Sequence, residues 1–270
     1  MLAGADNTYV VSALGGVGTG KSSLLNAITG EYTFETGDGT DVRKTQQLVK
    51  KKKKLNPPPS PFFLVKEWKF APSTQFCHLV DTPGLIDSNI EDRQVIQEMT
   101  RYFKSLENGV SAFFLVFNIN DIRLDAYTQN MLILFHQLLG KDFWNFVVVV
   151  FTHVDEDFRD DLEDNMDAVI ASNDGFVAEI RRIYRLPKSF QPSVIFTSTQ
   201  NVRTSSYTQR HMRELYFAVG MCESRNSGKR FTCNWLRQIL TIPNEEQKSN
   251  FIKDSIKDAW SSMSNACQMQ

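Results

Sequence analysis

Eight residues, Gly15 to Ser22, read Gly-Gly-Val-Gly-Thr-Gly-Lys-Ser and place Gly15, Gly20, Lys21 and Ser22 at the spacing of a phosphate-binding loop. Glycines there let backbone N–H groups converge on phosphate oxygens, and a helix that starts just after them adds its partial positive charge. In such a loop Lys21 bridges the β- and γ-phosphates and the Ser22 hydroxyl ligates Mg2+. Gly16, Val17, Gly18, Thr19 and Ser23 complete the expected cradle, and Lys21 is expected on a solvated stretch until phosphate arrives. A second cluster, Asp81-Thr-Pro-Gly84, follows the strand-like run Gln75–Val80. Asp, Pro and Gly also make plain turns. Downstream of a phosphate loop, however, Asp81 reads as a partner of a Mg2+-bound water and the Gly84 N–H as a γ-phosphate donor.

The third cluster selects the base. Phe146–Phe151 is an apolar, valine-rich run that ends in Thr152-His-Val-Asp155. The two carboxylate oxygens of Asp155 match the N1–H and N2 amino donors of guanine. Adenine offers neither donor on that edge, so a buried carboxylate would be left unpaired. GTP or GDP with Mg2+ is the expected ligand. His153, beside Asp155, reads as a base-flanking ring stacked on guanine. Ser198 and Thr199, after the last apolar run, are placed to flank the base. A switch threonine should close over Mg2+ beside Ser22 and Asp81; Thr40, in Gly-Asp-Gly-Thr with glycines that permit movement, is preferred over Thr45.

The elements that must position these residues alternate along the chain. Apolar, β-branched runs predict strands near 8–13, 62–70, 75–80, 111–117, 146–151 and 193–198. Helical spacing predicts helices over 21–29, 90–106, 124–139, 161–184 and 208–222, with Gly30 as the first helix's C-cap. The fold class is therefore α/β: a mainly parallel central sheet with one antiparallel edge strand, from the 62–70/75–80 hairpin, and helices on both faces. All three clusters follow strands, where such folds place their ligands. Beyond the break at Pro243, Asn244 can cap a helix whose stripe of Ile252, Ile256, Ala259, Trp260 and Met263 needs a surface to cover it. Folding back on its own domain is expected, with a partner groove as the alternative. Residues 7–240 form the main domain and 241–270 the helical appendage.

With 30 basic and 31 acidic side chains the formal charge is −1, which argues against a nucleic-acid role. The four cysteines show no metal-ligand pairing and suit a reducing compartment. No stretch approaches the ~20 apolar residues of a membrane span, and no targeting pattern opens the chain. A cytoplasmic location follows, or a peripheral one on a membrane. Lys50–Lys54 is a run of five lysines that reads as a solvated edge or as a docking element for acidic lipid or an acidic partner.

The set Gly15–Ser22, Asp81–Gly84 and Thr152–Asp155 resembles the P-loop GTPases related to translation factors. Within them the chain is most similar to the AIG-type family on the septin-like branch: the immunity-associated GIMAP proteins and, more distantly, the chloroplast Toc receptors. Asn108–Leu124 resembles that family's box between the second and third clusters, and Thr-His in place of Asn-Lys departs from the common base motif in the family's direction. The family pattern aligns Arg43, not a threonine, with its switch position. The resemblance implies a GTP-dependent switch or scaffold that self-associates as a homodimer or oligomer through its nucleotide face, and it offers a second role for His153, facing the dimer partner across the nucleotide. Leu85, where Ras-like enzymes carry a water-orienting glutamine, implies slow or assembly-stimulated hydrolysis, with no catalytic residue to name. An efficient stand-alone hydrolase and a non-catalytic, nucleotide-stabilised tether are the alternatives.

Overall fold

The computed structural model describes residues 8–16, 18–34, 36, 63–82, 93–121, 124, 126–154, 166, 169 and 175–267. Val17, Thr40, Thr45, Lys50–Lys54, Gly84, Leu85 and Asp155 lie outside them. The described elements are β1 (Tyr9–Leu14), α1 (Lys21–Thr29), β2 (Phe63–Glu67), β3 (Phe76–Asp81), α2 (Arg93–Ser105), β4 (Ala112–Asn118) and α3 (Ala126–Leu139). A 3-10 turn (Lys141–Phe146), β5 (Val147–Thr152), α4 (Phe176–Ile183), β6 (Ser193–Phe196), α5 (Ser206–Arg225), α6 (Asn234–Thr241) and α7 (Glu245–Cys267) follow.

The strands form one sheet in the order β2-β3-β1-β4-β5-β6. Among the described strand pairs only β2–β3 is antiparallel, with Val65 opposite His78. Every residue of β5 is buried, and so is all of β4 except Asn118. Continuous apolar runs of this kind are what a parallel strand covered on both faces requires. The two faces can be told apart on β1 by parity, since successive side chains alternate. Ser12 Oγ lies 2.7 Å from the Tyr102 hydroxyl of α2, whereas the Tyr9 ring meets Tyr216 of α5 at 5.5 Å. Helices α2 and α5 therefore cover opposite faces. On the α2 side Phe103, Phe113, Phe135, Phe143 and Phe231 pack ring to ring at 4.9–5.9 Å.

Gly30 caps α1 in the left-handed region (φ 67°), its N–H donating to the Ala27 carbonyl. The 62–70 strand is shorter than its apolar pattern suggests. β2 ends at Glu67; Trp68, whose N–H still donates to the Gln75 carbonyl at 2.8 Å, buries its indole against α5, where Nε1 donates to the Met212 carbonyl at 3.3 Å. The 3-10 turn before β5 has no counterpart in the sequence reading; Phe143, Trp144 and Phe146 are apolar in a run too short to show a period. Of the helix expected over 161–184, the described residues show Phe176–Ile183 as a continuous helix.

Helix α7 returns onto α2 and α3. Asn244 Oδ1 caps it, accepting from the N–H groups of Glu246 and Gln247 at 2.9 and 3.0 Å. Ile252 and Ile256 are fully buried. Trp235 Nε1 on α6 donates to Ser255 Oγ at 3.0 Å, and its ring stands edge-on to Phe103 at 5.0 Å. Lys248, 8% exposed, pairs with Glu107 at 2.8 Å, while Lys104 pairs with Glu245 at 2.9 Å. Ile252 and Ile256 of the tail's apolar stripe are thus covered by the chain's own helices, with Ala259 and Trp260 half-buried against the same core.

Candidate functional site

The loop between β1 and α1 leaves the sheet at Leu14. Gly15 sits where a Cβ would lie 2.3 Å from the Val116 carbonyl oxygen of β4, so no other residue fits without moving the strand. Gly20 takes φ 84° and α1 starts directly after it with no side-chain cap, which leaves the helix's positive end open. Lys21, expected on a solvated stretch, is instead buried; its Nζ turns back and donates to the Gly16 carbonyl at 2.7 Å. The reason is tertiary. Asp81, at the end of β3, is buried beside it, and the parallel pairing of β3 with β1 sets Asp81 against Ala13 at the root of the loop.

The Ser22 hydroxyl donates to Asp81 Oδ2 at 2.6 Å, joining two predicted site residues 59 positions apart. Asp81 Oδ1 is buried with no hydrogen-bond partner among the described residues. Burial pushes the Asp81 carboxyl above its usual range, against the pull of Lys21 and the Ser22 hydroxyl. Burial likewise pushes the Lys21 ammonium down, against the attraction of Asp81. A buried carboxylate oxygen without a partner, next to a serine hydroxyl and an ammonium, is costly unless a cation and an anion complete the group. This donor set fits Mg2+ with a phosphate: hard oxygen ligands for the metal and a lysine for the anion.

At the other side of the loop Thr152 is fully buried. Its hydroxyl lies 2.7 Å from the Thr19 carbonyl and 3.1 Å from the Phe117 carbonyl, and so ties the loop to β4 and β5. Thr152→Val removes the one hydroxyl donor that these two carbonyls share and should destabilise the fold by about 1–3 kcal/mol, read from urea melts. His153 adopts a left-handed backbone (φ 62°), with Nδ1 2.9 Å from Thr152 Oγ1. A Cβ on Gly20 would lie 3.4 Å from its Cε1, so the exposed ring stands over the end of the phosphate loop. Val154 N–H donates to the Thr197 carbonyl, which brings Thr197 and Ser198 alongside the base-motif strand end. Ser198 Oγ accepts from the Gln200 N–H at 3.1 Å.

From Ser23 an open cleft of about 530 Å³ runs along α1 to Thr199, with Asn26, Tyr32, Asn201 and Arg203 on its walls. Two contributors were not read from the sequence. Thr82 donates its hydroxyl to the Ala13 carbonyl at 2.9 Å and so fixes the strand end that carries Asp81. Asn26 holds the chain that leaves α1: Oδ1 accepts from Thr33 and Phe34 N–H at 2.8 and 2.7 Å, and Nδ2 donates to the Phe34 carbonyl at 2.8 Å. The available signal was asparagine, a poor helix former, inside the apolar stretch Leu24–Ile28 of that helix.

The model of the AIG1 family matches residues 65–250. Immune-associated nucleotide-binding protein 13 of Arabidopsis thaliana is 25% identical over 267 residues, which span 95% of this chain and 68% of that protein. Immune-associated nucleotide-binding protein 12 of the same plant is 26% identical over 161 residues, 57% of this chain and 36% of its own length. Among solved structures, Toc33 from Arabidopsis thaliana in complex with Mg2+ and GMPPNP superimposes with a TM-score of 0.52 at 15% identity, covering 80% of this chain and 85% of that one. A structure of the chloroplast translocon components atToc33 and psToc159, for which dimerisation is described as important for GTPase activity, gives 0.55 at 15% identity over 84% and 87%. At these identities the structural likeness is one of fold.

Proposed function

The chain belongs to the AIG1 family, and from that premise we propose that it is a guanine-nucleotide-binding protein, a GTP-dependent switch or scaffold that self-associates through its nucleotide face and hydrolyses GTP slowly or on assembly. The observation that carries the reading is the buried pair of Lys21 and Asp81 with the half-buried Ser22 hydroxyl on the carboxylate, whose other oxygen has no partner among the described residues. In this reading Gly15, Gly16, Val17, Gly18, Thr19 and Gly20 present backbone N–H groups to the phosphates, and Lys21 neutralises them. Ser22, Asp81 and Thr40 hold Mg2+, which when bound offsets charge on the β- and γ-phosphates. Gly84 reaches the γ-phosphate and Asp155 pairs with guanine. Thr152, His153, Ser198 and Thr199 shape the base side, and Ser23 lies where phosphates give way to nucleoside. Residues 7–240 are the nucleotide-binding unit and 241–270 the tail. Lys50–Lys54 is the element for any contact with acidic lipid or an acidic partner; none of the described helices is long and apolar enough to cross a membrane.

Self-association is supported by the exposed ring of His153 over the loop and by what is described for the Toc33 structures. Light scattering with GDP, with a non-hydrolysable GTP analogue and without nucleotide tests it. Assembly is expected with the analogue, and turnover per molecule should rise with protein concentration. One mass in all three states, with fast concentration-independent turnover, would instead make the protein a stand-alone hydrolase. For base choice, ATP is expected to bind at least ~100-fold more weakly than GTP, since its adenine leaves the Asp155 carboxylate unpaired. Asp155→Asn should shift preference toward xanthine nucleotides in competition binding. Equal affinity for ATP and GTP would remove the role given to Asp155.

A further inference from the structure

Tyr32 is 72% exposed, the most exposed of the large apolar side chains among the described residues. An exposed aromatic on a loop would ordinarily be free to move, yet this one is held from both sides. Asn26 bonds the backbone of Thr33 and Phe34 three times, and Phe34 is buried behind it. Thr29 Oγ1 accepts from the Glu31 N–H at 3.2 Å, and the Glu31 carboxylate pairs with Lys66 at 2.8 Å. The phenol itself is fixed at its far end: its oxygen accepts from the Thr36 N–H at 3.1 Å and lies 3.2 Å from Thr36 Oγ1. The ring so fixed is one wall of the cleft that starts at Ser23 and ends at Thr199 and Arg203.

A rigid, solvent-facing aromatic on the rim of a cleft is a preorganised apolar surface, since little conformational freedom is lost when a ligand covers it. The cleft's volume is of the size that holds a small ligand, and it opens from the residue that follows Lys21 and Ser22. The nucleoside of a ligand whose phosphates lie at those residues can reach this cleft along α1. Resting on the nucleotide reading above, we infer that Tyr32 is a further ligand-binding residue of that site. Its ring packs against the nucleoside half of the ligand, while Asn26 acts as a positioning residue that holds the ring in place.

The test uses the full chain and titration calorimetry with GDP and with Mg2+-pyrophosphate, which carries the phosphates without the nucleoside. Ring-on-base packing is worth about ten-fold in affinity when removed. Tyr32→Ala should therefore weaken GDP about ten-fold and leave pyrophosphate affinity and the ligand-free melting temperature unchanged, while Tyr32→Phe, which keeps the ring, should bind GDP within about two-fold of wild type. A Tyr32→Ala protein that binds GDP as wild type does would overturn the inference alone. Equal losses for GDP and pyrophosphate would also overturn it, by making Tyr32 a support of the phosphate loop. Wild-type protein that binds pyrophosphate but no guanine nucleotide would overturn the nucleotide reading itself.

Discussion

Lys21→Ala is expected to weaken GTP binding by at least ~100-fold, the equivalent of about 2.7 kcal/mol, because a charged hydrogen bond to the terminal phosphates is lost. The burial of Lys21 adds a second consequence. Its ammonium is enclosed with the Asp81 carboxyl, so alanine leaves a buried acid without its cation, and the ligand-free protein should melt earlier than wild type. Lys21→Met keeps the side-chain volume and removes the charge, which separates packing from electrostatics. Both variants should lose GTP alike, with Met the more stable of the two. Calorimetric titration with GTP and a thermal melt without nucleotide read the two effects. GTP binding by Lys21→Ala at wild-type affinity would break the central inference about this site.

Removing α7 should have the largest effect on stability. Its two fully buried isoleucines, Ile252 and Ile256, and the Lys248–Glu107 pair all close on the α2 side of the domain. A single Ile256→Ala change is expected to cost about 2–5 kcal/mol. Deletion of residues 244–270 also uncovers Phe103 and Trp235, and should lower the melting temperature on the order of 10 °C or more. Because the helix packs on its own chain, nucleotide-dependent assembly should be unchanged in the deletion at temperatures where it stays folded. A deletion that altered assembly and left the melting temperature in place would assign the helix to a partner instead. Ile256→Ala in the full chain, followed by urea titration, checks the packing without removing the tail.

What the sequence determined by itself was whatever depends on neighbours along the chain. Glycine spacing from Gly15 to Gly20, the valine run of β5 and the Gly30 cap each specify a local conformation, so loop, strand and helix end were legible without a third dimension. The hairpin of β2 and β3 was legible for the same reason, as was the Asn244 cap with the apolar stripe after it. Tertiary structure decided everything that depends on which distant segments meet. It buried Lys21 against Asp81, set the Ser22 hydroxyl on a carboxylate 59 residues away, and turned the Thr152 hydroxyl onto the loop's Thr19 carbonyl. It also chose what covers the stripe of α7, since periodicity shows that a face must be buried and says nothing of the surface that buries it. Parallel pairing of β1 with β3 and β4 brings these groups together. That pairing acts between segments tens of residues apart, and the energies that settle it are absent from any local pattern.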